Sequence, residues 1–119
     1  MREKNKNHFL KKERLKPMGF HRYQIPILQK DYTVKYILGW ADENEEFGYY
    51  PLKRKTKNDT WTSWKYVATD LASGTRVICL ETRKACVEWI KSNIEKIEIA
   101  RSTSTYKRCV EQIRLAKTD

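Results

Sequence analysis

The sequence predicts an α+β domain: a mainly antiparallel sheet of four to five strands, two helices packed on one face of it, and a flexible basic arm ahead of it. Three observations carry this. Residues 61–94, WTSWKYVATDLASGTRVICLETRKACVEWIKSNI, read as strand, tight turn, strand and capped helix without a break. Upstream, 22–28, 32–40 and 49–56 are short aromatic and β-branched runs separated by turn residues, the spacing of strands in a sheet. The opening residues, in contrast, are charged and show no sustained apolar period. The expected organisation is therefore an arm over 1–18 and a single domain over 19–119, since a chain of 119 residues leaves no room for two full domains.

In the arm, Arg2, Lys4, Lys6, Lys11, Lys12, Arg14 and Lys16 face only Glu3 and Glu13. An isolated helix this short is marginal in water, so any order there would come from a partner. Residues 22–28, RYQIPIL, predict an edge strand, because Pro26 cannot donate to a ladder. Residues 32–40, YTVKYILGW, predict an interior one, with Val34, Tyr36, Leu38 and Trp40 on one face and Thr33, Lys35, Ile37 and Gly39 on the other. DENEEFG then places four acids in five residues, an exposed loop that either neutralises nearby cations, meets a basic partner or chelates; it lacks the spacing of a calcium loop.

A further strand is predicted over 49–56, with Pro51 again suggesting an edge, and KNDT turns the chain into Trp61. Over 61–69 strict alternation puts Trp64, Tyr66 and Ala68 on one face and Trp61, Ser63, Lys65 and Val67 on the other. Asp70 and Gly74 supply the turn: the carboxylate bonds forward to its own backbone and the glycine accepts positive φ. After the run 75–80, Thr82 is the expected N-cap of a helix whose inner face is Ala85, Cys86, Trp89, Ile90 and Ile94, with Asn93 near its end. In IEKIEIARS the alternation of Ile97 and Ile99 about Glu98 predicts a short strand at 96–101. The STST cluster at 102–105 then caps a last helix, with Tyr106, Cys109, Val110 and Ile113 inward and Lys107, Arg108, Arg114 and Lys117 outward.

The 25 Lys and Arg against 15 Asp and Glu give a formal net charge of +10, which favours polyanionic partners because their binding releases condensed counterions. The hairpin 49–69 is the second basic locus after the arm. Lys53, Arg54, Lys55 and Lys57 accompany its first strand, Trp61 and Lys65 share a face of its second, and Tyr49 alternates onto the face of Lys53 and Lys55. Aromatic planes among cations on a sheet are what a stacking and phosphate-binding platform requires. The nucleic-acid-binding set is then Lys4, Lys6, Lys11, Lys12, Arg14, Lys16, Tyr49, Lys53, Arg54, Lys55, Lys57, Trp61 and Lys65.

Catalytic signatures are absent. The histidines are His8 and His21, and neither GxxxxGK[ST], GxGxxG, GxSxG nor HExxH occurs. Cys79, Cys86 and Cys109 are odd in number, widely spaced and without CxxC, so they read as small core residues in a reducing compartment; no metal and no cofactor is expected. With no apolar signal region and no spanning run, the expected setting is cytoplasmic, away from membranes. The outline of the central stretch, with ETRKACVEW opening the helix, resembles the small arm-binding domains of phage-type integrases over about a quarter of the chain, a pattern too common to transfer any residue. The functional expectation is a non-catalytic protein whose partner is RNA, DNA or a nucleoprotein complex. The alternatives are a phage or mobile-element inhibitor of a host nuclease, of the anti-CRISPR kind, and a small metal-independent ribonuclease using Tyr106, Arg108 and the cations at 53–57.

Overall fold

A computed structural model describes residues 19–118, the Ser63 side chain excepted. The predicted arm, with Lys4, Lys6, Lys11, Lys12, Arg14 and Lys16, lies outside the described residues. The chain runs through β1 (His21–Leu28), β2 (Val34–Ala41), β3 (Phe47–Lys55), β4 (Trp61–Asp70), β5 (Thr75–Leu80), α1 (Arg83–Ser92), α2 (Ile94–Arg101) and α3 (Ser104–Thr118). The five strands form one antiparallel meander in sequence order. The α+β class therefore holds. Among the described residues, no helix is long and apolar enough to cross a membrane, and the three cysteines are free.

Local chemistry sets the ends of these elements where the sequence placed them. The Asp70 carboxylate accepts from Ser73 N at 3.1 Å, Gly74 N donates to Asp70 O at 2.7 Å, and Gly74 takes φ of 70°. Thr82 Oγ1 accepts from Ala85 N at 3.0 Å to cap α1, whose far end closes on Asn93, its side-chain amide donating to Trp89 O at 2.8 Å. Thr103 Oγ1 accepts from Tyr106 N at the start of α3.

Both faces of the sheet are buried, and by different means. On one, Phe47, Tyr49 and Ala68 lie beneath Cys86 and Ile90 of α1 and Ile97 of α2. On the other, Ile25, Ala41, Tyr50, Val67 and Leu71 form a second core. What encloses this second core is the sheet itself. β2 pairs with β3 only at Trp40–Tyr49 and Ala41–Gly48, after which the β1–β2 hairpin curls over β3 until Leu28 N donates to Gly74 O at 3.0 Å. The curl needs residues without side chains at its crease. A Cβ on Gly48 would stand 2.9 Å from Ile25 Cγ1 and 2.8 Å from Leu71 Cδ2, and one on Gly39 would collide with the Tyr49 carbonyl oxygen.

Three expectations are corrected. Residues 96–101 belong to α2: only Ile97 is buried there, at 8 % exposure, while Ile99 is 69 % exposed, so the apparent alternation marked no buried strand face. Among the described residues there are three helices, and α3 lies against β1 and the β4–β5 turn, with Ile113 beside Gly74, while α1 and α2 cover the first face. Pro51 sits in an interior strand, tolerated because the pairing of β2 with β3 has already stopped at Tyr49. Pro26 lies, as expected, in the edge strand.

Trp89 packs half-buried against the first core, whose fully buried α1 contributions are Cys86 and Ile90. Trp89→Ala is therefore expected to lower the unfolding free energy by about 2 kcal/mol, less than for a fully enclosed aromatic. Urea denaturation measures it, and an unchanged midpoint would show that the indole anchors nothing.

Candidate nucleic-acid interface

Neighbouring strands support β3 and β4 only over part of their length. The pairing of β5 with β4 ends at Tyr66–Leu80 and that of β2 with β3 at Trp40–Tyr49. From Leu52 to Lys65 the two strands pair only with each other, a projecting two-stranded ribbon closed by a turn in which Thr56 N donates to Thr60 O at 2.8 Å and Asp59 takes φ of 65°. Lys53, Arg54, Lys55 and Lys57 are all exposed on it.

The ribbon carries a bulge. Leu52 stands opposite Lys65 and Lys53 opposite Ser63, so Trp64 has no cross-strand partner. One extra residue reverses the faces of everything beyond it. Trp61 is consequently opposite Lys55, on the face that β3 alternation gives to Tyr49, Pro51 and Lys53, whereas Lys65 belongs to the opposite face; the expectation that Trp61 and Lys65 share a face is corrected. Two aromatic-cation clusters result. Lys55 Nζ lies 5.6 Å from the ring centroid of Trp61, which is 62 % exposed. Arg54 Cζ and Lys65 Nζ lie 5.4 and 4.9 Å from that of Trp64, which is 40 % exposed.

Tyr49 is removed from the candidate set. It does share the face of Lys53 and Lys55, but it is 2 % exposed, in edge contact with Phe20 at 5.5 Å, and burial followed by the charge of Asp42 pushes its hydroxyl well above the ordinary tyrosine value. No base can reach that ring. Lys55 Nζ is 3.0 Å from Asp59, but both groups are exposed, and such pairs contribute little and yield to salt or to a phosphate.

The acidic loop pairs with the protein's own side chains. Glu45 meets His21 at 3.0 Å and Glu46 meets Arg101 at 2.8 Å, while Asp42 accepts from Glu46 N to shape the loop. Among the described residues no cluster of His, Cys, Asp or Glu could hold a metal. The groups suggested for ribonuclease chemistry are not brought together. The Tyr106 hydroxyl donates to Asp70 Oδ2 at 2.8 Å, at the end of β4 remote from the ribbon tip, roughly 30 Å along a strand of this length. Burial pushes the Cys86 thiol up, away from the thiolate.

No known protein family, curated protein or solved structure matches this chain.

Sequence reading missed two features of this surface. Trp64 was placed on the face of Tyr66 by strict alternation, although the bulge sets it between Arg54 and Lys65. Arg22, Trp40 and Arg83, from three separate elements, meet beside α1. The one sequence signal for the latter was a helix whose first turn holds Arg83 and Lys84 and no acid, against the preference of the helix dipole.

Proposed function

We propose that this protein is a non-catalytic nucleic-acid binder whose projecting β3–β4 ribbon is the contact element. The observation that carries the reading is the exposure of Trp61 and Trp64 on a ribbon with cations at their rings. An indole left in water has apolar area to bury, and a nucleobase offers a planar surface to bury it against. The lysines and arginine beside the rings then meet the phosphates on either side of the stacked base. The seven cations of the first 16 residues add to the charge.

Titration against matched single- and double-stranded oligonucleotides at two salt concentrations tests this. A steep fall of affinity with salt is expected, reflecting several neutralised phosphates. Trp61→Ala should cost about 1 to 3 kcal/mol on the single strand and much less on the duplex. Equal losses on both ligands would remove the stacking role, and no binding at low salt would turn the reading towards a protein partner, as for an inhibitor of a nucleic-acid enzyme.

A further inference from the structure

Where the ribbon joins the helix layer, an open cavity of about 720 Å³ lies beside α1. Phe20, Trp40, Tyr66 and Val87 wall it, and Arg83, Lys84 and Lys91 stand at it, with Glu88 the one acid on its lining. Arg83 Cζ lies 4.4 Å from the Phe20 ring centroid and 5.7 Å from that of Trp40. Arg22, cross-strand from Trp40, places its Cζ 4.4 Å from the same indole.

A guanidinium stacked on a ring keeps its five N–H donors in its own plane, where the ring does not use them. Arg101 and Arg114 spend theirs on Glu46, Asp70 and Glu111. Among the described residues, no carboxylate pairs with Arg22 or Arg83. The Arg83 guanidinium beside Lys84 and Lys91 suits an oxyanion, and its planar bidentate fork suits phosphate in particular. The aromatic wall adds a second requirement. An acidic peptide would satisfy the cations and leave Tyr66 without a planar partner, whereas a nucleotide satisfies both.

Position ties the cavity to the ribbon. Tyr66 stands opposite Pro51, on the face that carries Lys53, Lys55 and Trp61. From Tyr66 to Trp61 along β4 is roughly 15 Å, the length of about four or five stacked nucleotide steps.

We infer that this cavity receives one unpaired nucleotide of the strand lying along the ribbon, its phosphate on the Arg83 guanidinium beside Lys84 and Lys91 and its base against the aromatic wall. The inference rests on the nucleic-acid reading of the ribbon and adds a second contact on the same face.

The test uses the full chain with adenosine monophosphate, inorganic phosphate, a tetraglutamate peptide and a single-stranded adenine oligonucleotide, followed by tryptophan fluorescence and calorimetry. The monophosphate should bind at millimolar concentration, more tightly than phosphate alone. Arg83→Gln should weaken it by about tenfold, and Arg83→Lys, which keeps the charge and loses the fork, by less. Lys117→Gln, on the outer side of α3, should change nothing. Urea midpoints show whether each variant is folded, and the lysine variant serves if a glutamine variant is not. Equal binding of phosphate or tetraglutamate would overturn the nucleotide assignment. So would no binding of the monophosphate, or binding indifferent to Arg83; the ribbon reading would then still stand if Trp61→Ala weakens the oligonucleotide. Monophosphate binding without oligonucleotide binding would overturn the ribbon reading and, with it, the strand in this inference.

Discussion

Asp70→Asn is expected to lower the unfolding free energy by about 3 kcal/mol, the largest loss from any isosteric change in this fold. The carboxylate is 3 % exposed and accepts five hydrogen bonds. Oδ1 takes Arg101 Nε and Nη2 at 3.2 and 2.8 Å; Oδ2 takes Ser73 N, Ser73 Oγ and the Tyr106 hydroxyl at 3.1, 2.7 and 2.8 Å. An amide offers one acceptor and forces its N–H₂ against donors, while it also strips a charge from a buried pair. Burial alone would depress the Arg101 guanidinium, yet Glu46 and Asp70 outweigh it and hold its pKa above the ordinary value. Because Glu46 remains on Nη1, the loss should fall at the lower end for a broken buried pair. Tyr106 gives the same site a pH signature. Burial, then the hydrogen bond to Asp70, pushes its hydroxyl up from 10.0 to about 12. A phenol with a raised folded pKa contributes its full stability below the unfolded value and loses it as pH rises through the folded one. The stability difference between the parent and Tyr106→Phe should accordingly be constant below pH 10.0 and shrink towards about 12. Urea denaturation at neutral and alkaline pH measures both effects. A parental midpoint for Asp70→Asn would mean that α2 and α3 are held by their apolar contacts alone.

Only the turn in that network was legible from the sequence, because Ser73 and Gly74 are local to Asp70 while Arg101 and Tyr106 come from helices far downstream. An Asp four residues before a Gly predicts the turn that carries Ser73 onto the carboxylate, and Thr82 and the STST cluster predict the helix starts. What escaped was non-local. Tyr49 and Trp61 look alike in the sequence, each an aromatic within a β-run beside lysines. They differ because α1, encoded far downstream, covers Tyr49, while nothing described covers Trp61. The bulge at Trp64 is equally silent within β4: no glycine or proline stands in that strand, and a single unpaired residue reversed the relation between Trp61 and Lys65. The curl that makes a second core was signalled only by Gly39 and Gly48, whose reason appears once β1 is seen to cross them. In α2, one buried isoleucine in eight residues leaves no period for either a helix or a strand to declare.

The face reversal gives the ribbon its most demanding test. Reversing both Lys53 and Lys55 to Glu should weaken binding to single and double strands by about a hundredfold at physiological salt, and lower the salt slope by about two, one for each lost phosphate contact. These two residues share their face with Trp61 and with the cavity beside Arg83. Arg54, one position between them, points to the other face with Trp64 and Lys65. If a single strand lies along one face, Arg54→Glu should cost much less per charge than the lysine pair. If the ribbon instead enters the major groove of a duplex, which is wide enough for two strands, phosphates surround it and both faces should lose equally per charge, with the duplex the better ligand. Those patterns separate a strand-binding surface from a groove-binding one without a structure of the complex. Parental affinity after reversing Lys53 and Lys55 would reduce the ribbon to a solvated strand pair whose lysines serve only to discourage edge pairing, and the exposed tryptophans would then have to be explained by a protein partner.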